Sequence, residues 1–405
     1  MSCPSHGLMS VDEVLQRLQQ AASQKTPVIE QTLLSDALGR VLAEDVVATI
    51  DVPPQANSAM DGYAIHTDDL QHTTILAISQ RIAAGSAPQS LQRGTAARIF
   101  TGAVIPDGAN AVVMQENTQL TADGLVEVLQ RPDAQENIRP QGQDIACGVT
   151  ILRQGEKLTP AAIGLLATIG KAKVKVYQRL KVVYFCTGDE LAQAEQTLKV
   201  GQIYNSNSPL LGALLTEQGY QAIDGGVIAD NLPDTINALA NAAQQADVVM
   251  TTGGVSVGEE DHVKAALQQI GQLDLWKVAL KPGKPLAFGS IGATPFIGLP
   301  GNPQSVFVTF KVMAQTFLAY YQGQRHKVKP SVVAMPIDFS IKKAQGRQEY
   351  LRVRLVQNEQ GELVLSKYHN QSSGVLSSAV WADGFAIIEI GKTYESGDRV
   401  AFWRF

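Results

Sequence analysis

The chain has 405 residues, which at roughly 150 per domain corresponds to about 2.7 domains, so one compact unit is excluded as the whole answer. Hydrophobic residues make up 45% and charged residues only 18%, which excludes an acidic or basic disordered protein. The net charge of −5 leaves no overall positive field for nucleic acid.

Residues 11–22 carry apolar positions at Val11, Val14, Leu15 and Leu18, which is helical spacing. Ser10 and Glu13 form a capping box for that helix. A second short helix is expected over 33–39, ending at Gly39. From about 46 to 145 the chain reads as short β runs broken by Gly, Pro and Asn, such as 109–115 and 125–129 around the turn Ala122-Asp123-Gly124. Residues 158–169 return to helix, opened by Thr159 and Pro160, and 172–177 leave as a strand.

From 180 onward strand and helix alternate. Strands are expected at 180–186, 221–228, 247–251, 285–289 and 295–299, with helices at 209–218, 232–244, 261–270 and 304–321. Such alternation specifies a mostly parallel sheet with helices on both faces. Past Pro330 the runs 332–339, 348–356, 363–366, 385–389 and 399–403 fit a small β-barrel or sandwich. The fold class expected is therefore multidomain α/β plus β. A helical and extended linker unit spans 1–50 and 145–178, and a β-rich unit is inserted at 51–144. A doubly wound α/β unit covers 179–325, and a C-terminal β-barrel covers 326–405.

The three cysteines, Cys3, Cys147 and Cys186, fit no CxxC motif, and the odd count argues against a disulfide framework. A reducing compartment is the simplest reading. The first residues lack a basic run followed by an apolar one, and the longest apolar candidate, 161–170, is too short to span a bilayer. A cytoplasmic protein with no membrane or nucleic-acid partner is expected. His6, His66, His72, His262, His326 and His369 do not cluster at ligand spacing, which disfavours a zinc enzyme. Walker A and GxGxxG patterns do not occur.

In open α/β sheets ligands sit at the carboxyl ends of the strands. Here those ends carry Thr187-Gly188-Asp189-Glu190, then Asp230, then Thr251-Thr252-Gly253-Gly254-Val255-Ser256 with Asp261, then Pro300-Gly301-Asn302-Pro303. The glycines let backbone N–H groups approach an anion, and helix N-termini add positive potential. The carboxylates Asp189, Glu190, Asp230 and Asp261 would repel a phosphate unless a hard cation such as Mg²⁺ lies between them. Lys281-Pro282-Gly283-Lys284-Pro285 presents two ammonium groups from a stiff turn. Taken singly, each loop is equally a tight βα turn with a capping acid. Their coincidence at one sheet edge is what points to a phosphate and cation site.

Five strings occur in order: Ser58-Ala59-Met60-Asp61-Gly62-Tyr63-Ala64, Thr187-Gly188-Asp189-Glu190-Leu191, Thr251-Thr252-Gly253-Gly254-Val255-Ser256-Val257-Gly258, Lys281-Pro282-Gly283-Lys284-Pro285 and Gly298-Leu299-Pro300-Gly301-Asn302-Pro303. As an ordered set the chain resembles the molybdopterin molybdenumtransferase family, which includes MoeA and the E domain of gephyrin. The resemblance implies insertion of molybdate into adenylylated molybdopterin with Mg²⁺ and release of AMP, by a homodimer whose site is shared between subunits. It implies the adenylyltransferase and apo-molybdoenzymes as protein partners. Carried over by motif, the acids are Asp61, Asp144, Glu190, Asp230 and Asp261, with Glu190, Asp230 and Asp261 toward the metal. The anion binders are Lys281, Lys284 and Arg352, and Thr101 and Ser373 match further site positions. Substrate contacts fall on Thr251, Thr252, Gly253, Gly254, Ser256, Pro300 and Pro303. Two alternatives stand beside this reading: a molybdopterin adenylyltransferase, which would leave about 250 residues unexplained, and a non-catalytic dimeric scaffold of the gephyrin type, for which acidic loops have no use.

Overall fold

The computed structural model describes residues 8–255 and 262–405. Ser256 and Asp261 lie outside them.

The α/β unit is organised by one six-stranded sheet. Its spatial order is Gln221–Ile228, Lys181–Thr187, Val248–Thr252, Thr294–Leu299, Pro285–Ile291, Gly271–Lys277. Alternation along the strands builds two cores. Val182, Tyr184, Val248 and Met250 face one side, and Val183, Phe185 and Val249 face the other. Helix Asn207–Glu217 and the helical run from Pro303 to Tyr321 cover the first face, through Leu211, Leu214, Leu215, Val306 and Phe310. Helices Leu232–Ala243 and His262–Ile270 cover the second, through Leu239, Ala242, Val263, Ala266 and Leu267. Burying both faces is what a largely parallel sheet requires.

The sheet is more mixed than the strand–helix alternation predicts. The three pairings around Lys181–Thr187, Val248–Thr252 and Thr294–Leu299 are parallel, but Pro285–Ile291 is antiparallel to both of its neighbours. The helix expected to end at 270 does end there, but Gly271 also starts an edge strand opposite Ile291 that the strand–helix alternation does not predict. A side chain there would collide with the Ser290 carbonyl, so the glycine permits close pairing as well as ending the helix. The long helix expected at 304–321 is present as Pro303–Thr309 and Gln315–Tyr321 joined by a π-helical stretch, Phe310–Ala314.

Half of the expected capping box forms at helix Val11–Ala22: the Glu13 N–H donates to Ser10 Oγ at 3.2 Å, while the Glu13 carboxylate pairs with Arg17. The helix's apolar stripe of Val11, Val14, Leu18 and Ala22 joins the first core of the α/β unit. Sequence order groups it with the linker segments, but apolar burial attaches it to the sheet. The helix expected over 33–39 is a single 3₁₀ turn, Leu34–Asp36. Strand Ile29–Leu33 pairs antiparallel with Lys173–Tyr177, and Val46–Val47 pairs with Thr150–Leu152. Leu42, Val46, Ile145, Leu158, Leu166 and Val176 share one core, so segments on either side of the β-rich stretch fold together.

Between them lies a second six-stranded sheet, in the order Ala111–Met114, Gly62–Ile65, Thr95–Ile99, Ile75–Ile82, Val126–Val128, Thr118–Leu120. The C-terminal segment forms a third sheet from Gln348–Gln357, Gly384–Ile388, Arg399–Arg404 and Val332–Pro336, with Leu363–Lys367 paired to Gln348–Gln357. A parallel bridge between Ile337 and Leu365 brings its outer strands together in a barrel-like closure. Strand Leu280–Lys281 reaches from the α/β unit into this sheet, parallel to Gln348–Glu349. No helix of the described residues is long and apolar enough to cross a membrane.

Candidate functional site

The loops at the carboxyl ends of the central strands pack against one another. Gly253 and Gly254 follow Val248–Thr252 with φ of 86° and 64°, the left-handed region that suits glycine. The Gly253 N–H donates to the Leu299 carbonyl at 3.0 Å, which ties this loop to the Pro300-Gly301-Asn302-Pro303 turn. Asn207 Nδ2 donates to the Gly301 carbonyl at 2.7 Å and fixes the turn from the helix side. Pro303 then occupies the first turn of its helix with Asn302 at the cap.

These loops form one wall of a cleft of about 400 Å³. Its lining brings Gly253, Gly254 and Val255 together with Lys281–Pro285, Pro300–Asn302 and Ser305 from the α/β unit. Arg347, Gln371, Ser372 and Ser373 come from the C-terminal unit. The Gln304 N–H donates to the Ser373 carbonyl at 3.0 Å, which clamps the helix start to that loop. Lys281, Lys284 and Arg347 therefore converge, and no acid lines the cleft among the described residues. A concave, glycine-walled space with several cations and serine hydroxyls suits an oxyanion or phosphate group.

A smaller cavity of about 340 Å³ adjoins it, lined by Lys281, Pro282, Glu349, Leu351, Arg352, Gln371 and Ser372. Arg352 is 1% exposed. Its guanidinium donates to Ser378 Oγ at 3.0 Å and to the carbonyls of Tyr350 and Ser372 at 3.3 Å each. Burial lowers its pKa to about 10 against the opposing pull of Glu349, so it remains a cation at neutral pH. Lys281 forms an ion pair with Glu349.

The acids expected at the sheet edge divide. Asp230 follows strand Gln221–Ile228, and its N–H donates to Asp189 Oδ1 at 3.2 Å, which joins two strand-end loops. The Glu190 carboxylate lies over Gly188, where any side chain would strike it. Among the described residues no group of three His, Cys, Asp or Glu side chains forms a metal cage. Carboxylates such as these are the hard oxygen donors that a divalent cation takes.

Thr251 and Thr252 do not line the cleft. Both are buried in their strand, and the Thr252 hydroxyl turns to Cys186 Sγ at 3.2 Å. Pro303 likewise supports the turn without lining it. Asp61, Thr101 and Asp144 lie in or beside the inserted β sheet and line neither cavity. Thr101 donates to Asp61 Oδ1 through its N–H and its hydroxyl, at 2.7 Å each. Those two bonds, the backbone one first, hold the Asp61 carboxyl below the usual carboxylate range.

Arg347 also lines the cleft, and its guanidinium donates to the Leu280 carbonyl at 3.4 Å. Asn207, Ser305 and Gln371 carry no sequence signal of their own, because each is placed by contacts between distant segments.

Comparison with known proteins agrees with this architecture along the chain. Residues 9–170 match the MoeA N-terminal region (domain I and II), 184–320 a probable molybdopterin binding domain, and 334–405 the MoeA C-terminal region (domain IV). A Haemophilus influenzae protein named molybdopterin molybdenumtransferase is 42% identical, with 88% of each chain covered. A Nostoc protein of the same name is 34% identical over 93% of this chain and 88% of its own. A crystal structure of a molybdopterin biosynthesis MoeA protein from Pyrococcus horikoshii superposes with a TM-score of 0.83 at 28% identity, covering 98% of this chain and all of the other.

Proposed function

The chain belongs to the MoeA family of molybdopterin molybdenumtransferases, and from that premise we propose that it inserts molybdate into adenylylated molybdopterin, releasing AMP. The observation that carries this reading is the convergence of Lys281, Lys284 and Arg347 with Ser372 and Ser373 opposite the Gly253–Gly254 loop. An oxyanion in that cleft meets preorganised cations and hydroxyls without the cost of reorganising water.

In this reading Lys284, Arg347 and Ser373 hold the tetrahedral oxyanion. Arg352 supports the adjoining cavity from behind, its fork fixed by three acceptors. The paired glycines let the substrate phosphates approach backbone that no side chain shields. Glu190 and Asp230 would hold Mg²⁺, which when bound neutralises charge on the phosphoanhydride as it breaks. The proposed homodimer gives Asp61, Thr101 and Asp144 a use, since they complete the cleft of a second copy.

Incubation with adenylylated molybdopterin, molybdate and Mg²⁺ tests the reading. AMP release together with activation of a cofactor-free molybdoenzyme is expected. ATP consumption with free molybdopterin and no molybdate would replace it with adenylyl transfer, and neither activity would leave a scaffold. Mixing Asp61→Ala and Lys284→Ala variants tests the shared site: a homodimer with composite sites regains part of its activity on mixing.

A further inference from the structure

Glu349 is a carboxylate inside a cation pocket. Strand Leu280–Lys281 lies parallel to Gln348–Glu349, with Lys281 directly opposite Glu349. The Glu349 side chain is 7% exposed and forms an ion pair with Lys281, whose own side chain is 40% exposed. Lys281 lines both cavities, while Glu349 and Arg352 line the smaller one with Gln371 and Ser372. A buried carboxylate remains ionised only when cations face it. Here Lys281 binds it directly, and it acts electrostatically on Arg352.

Charge counting shows what this placement does. Lys281 and Arg352 supply two positive charges, and Glu349 cancels one of them. Lys284 and Arg347 face Lys281 from the cleft, so a tetrahedral dianion entering beside Lys281 meets a net charge of three rather than four, and a like-charged carboxylate.

We infer that Glu349 is the resident counter-ion of the oxyanion site, holding Lys281 in place before substrate arrives and giving it up when a dianion binds. The inference rests on reading the cleft as the oxyanion site. Glu349 is a positioning residue in this scheme. It holds Lys281 at the boundary of the two cavities, and it weakens oxyanion binding so that the bound anion can be passed on.

Calorimetric titration of the full-length protein with sodium molybdate tests this. Glu349→Gln should lower the Kd by roughly ten-fold, the effect of removing one repulsive charge at short range. In the reaction, the KM for molybdate should fall without a rise in kcat. A purely structural role for Glu349 would weaken binding instead. An equal or higher Kd in Glu349→Gln overturns the inference while the site reading stands, provided Lys284→Gln and Ser373→Ala each weaken binding to the wild type. If those two variants bind molybdate as the wild type does, the site reading fails and the inference with it. Should Glu349→Gln not fold, wild-type crystals soaked in molybdate decide the matter. An ion on Lys281 with the Glu349 carboxylate rotated away supports the inference, and an ion bound with the Lys281–Glu349 pair intact overturns it.

Discussion

Thr101 donates both its backbone N–H and its hydroxyl to one oxygen of Asp61, each at 2.7 Å. Asp61 is thereby stabilised as a carboxylate, and its pKa lies below the ordinary value. A depressed acid contributes stability that is present above its unfolded pKa of about 3.9 and is lost as pH falls through the folded value. Thr101→Val keeps the N–H bond and removes the hydroxyl. The Asp61 titration midpoint, followed by NMR, should therefore move up toward the ordinary value. Asp61 remains ionised at pH 7 in that variant, so its activity loss should be far smaller than that of Asp61→Asn, for which a loss of roughly 10²-fold in AMP release is expected. Equal losses in the two variants would remove any special part for the Asp61 charge.

Gly254 has a φ of 64°, and a side chain there would run into Val263 and approach Thr187 Oγ1 at 3.3 Å. Gly254→Ala should destabilise the protein by about 1–3 kcal/mol, the usual scale for forced backbone strain. It should also disrupt phosphate approach at the loop. Urea unfolding together with AMP-release rates checks this, and a variant with wild-type values in both would show that the loop geometry is dispensable.

Arg352 uses three N–H groups on Ser378, Tyr350 and Ser372. A lysine carries one ammonium group and cannot reproduce that fork. Arg352→Lys should lose about 1–3 kcal/mol, because buried acceptors are left unpaired. Its molybdate affinity should fall as well. Denaturant midpoints and molybdate titration measure the two effects, and full retention of both would contradict the role given to the fork.

Chelation of divalent cations should abolish AMP release, and added Mg²⁺ should restore it. Glu190→Gln and Asp230→Asn should each raise the Mg²⁺ concentration needed for half-maximal rate while leaving molybdate affinity unchanged. A metal requirement identical to the wild type in both variants would move the cation elsewhere.

Much of the fold was readable because its causes are local. Ser10 and Thr159 cap helices at the positions their side-chain chemistry favours, and each accepts the expected N–H. The near-continuous apolar run of 180–186 marks a strand buried on both faces. Gly271 ends a helix as its local pattern indicates, while the edge strand it opens went unread because that role depends on a partner strand. The expected helix at 33–39 failed for a related reason: the run is too short to hold itself as a helix, and only one 3₁₀ turn forms.

The sequence by itself determined the ordered loop motifs, the strand–helix rhythm and hence which loops crowd one edge of a sheet. Those features follow from backbone preference and periodicity between near neighbours. Only the tertiary structure decided that Arg347 joins Lys281 and Lys284 in one cleft, that Arg352 lies in the cavity next to it, that Thr251 and Thr252 turn into the sheet, and that Glu349 faces Lys281 from inside the pocket. The reason is that strand register between distant segments is set by which side chains can be buried together, and no local pattern in either segment records its partner.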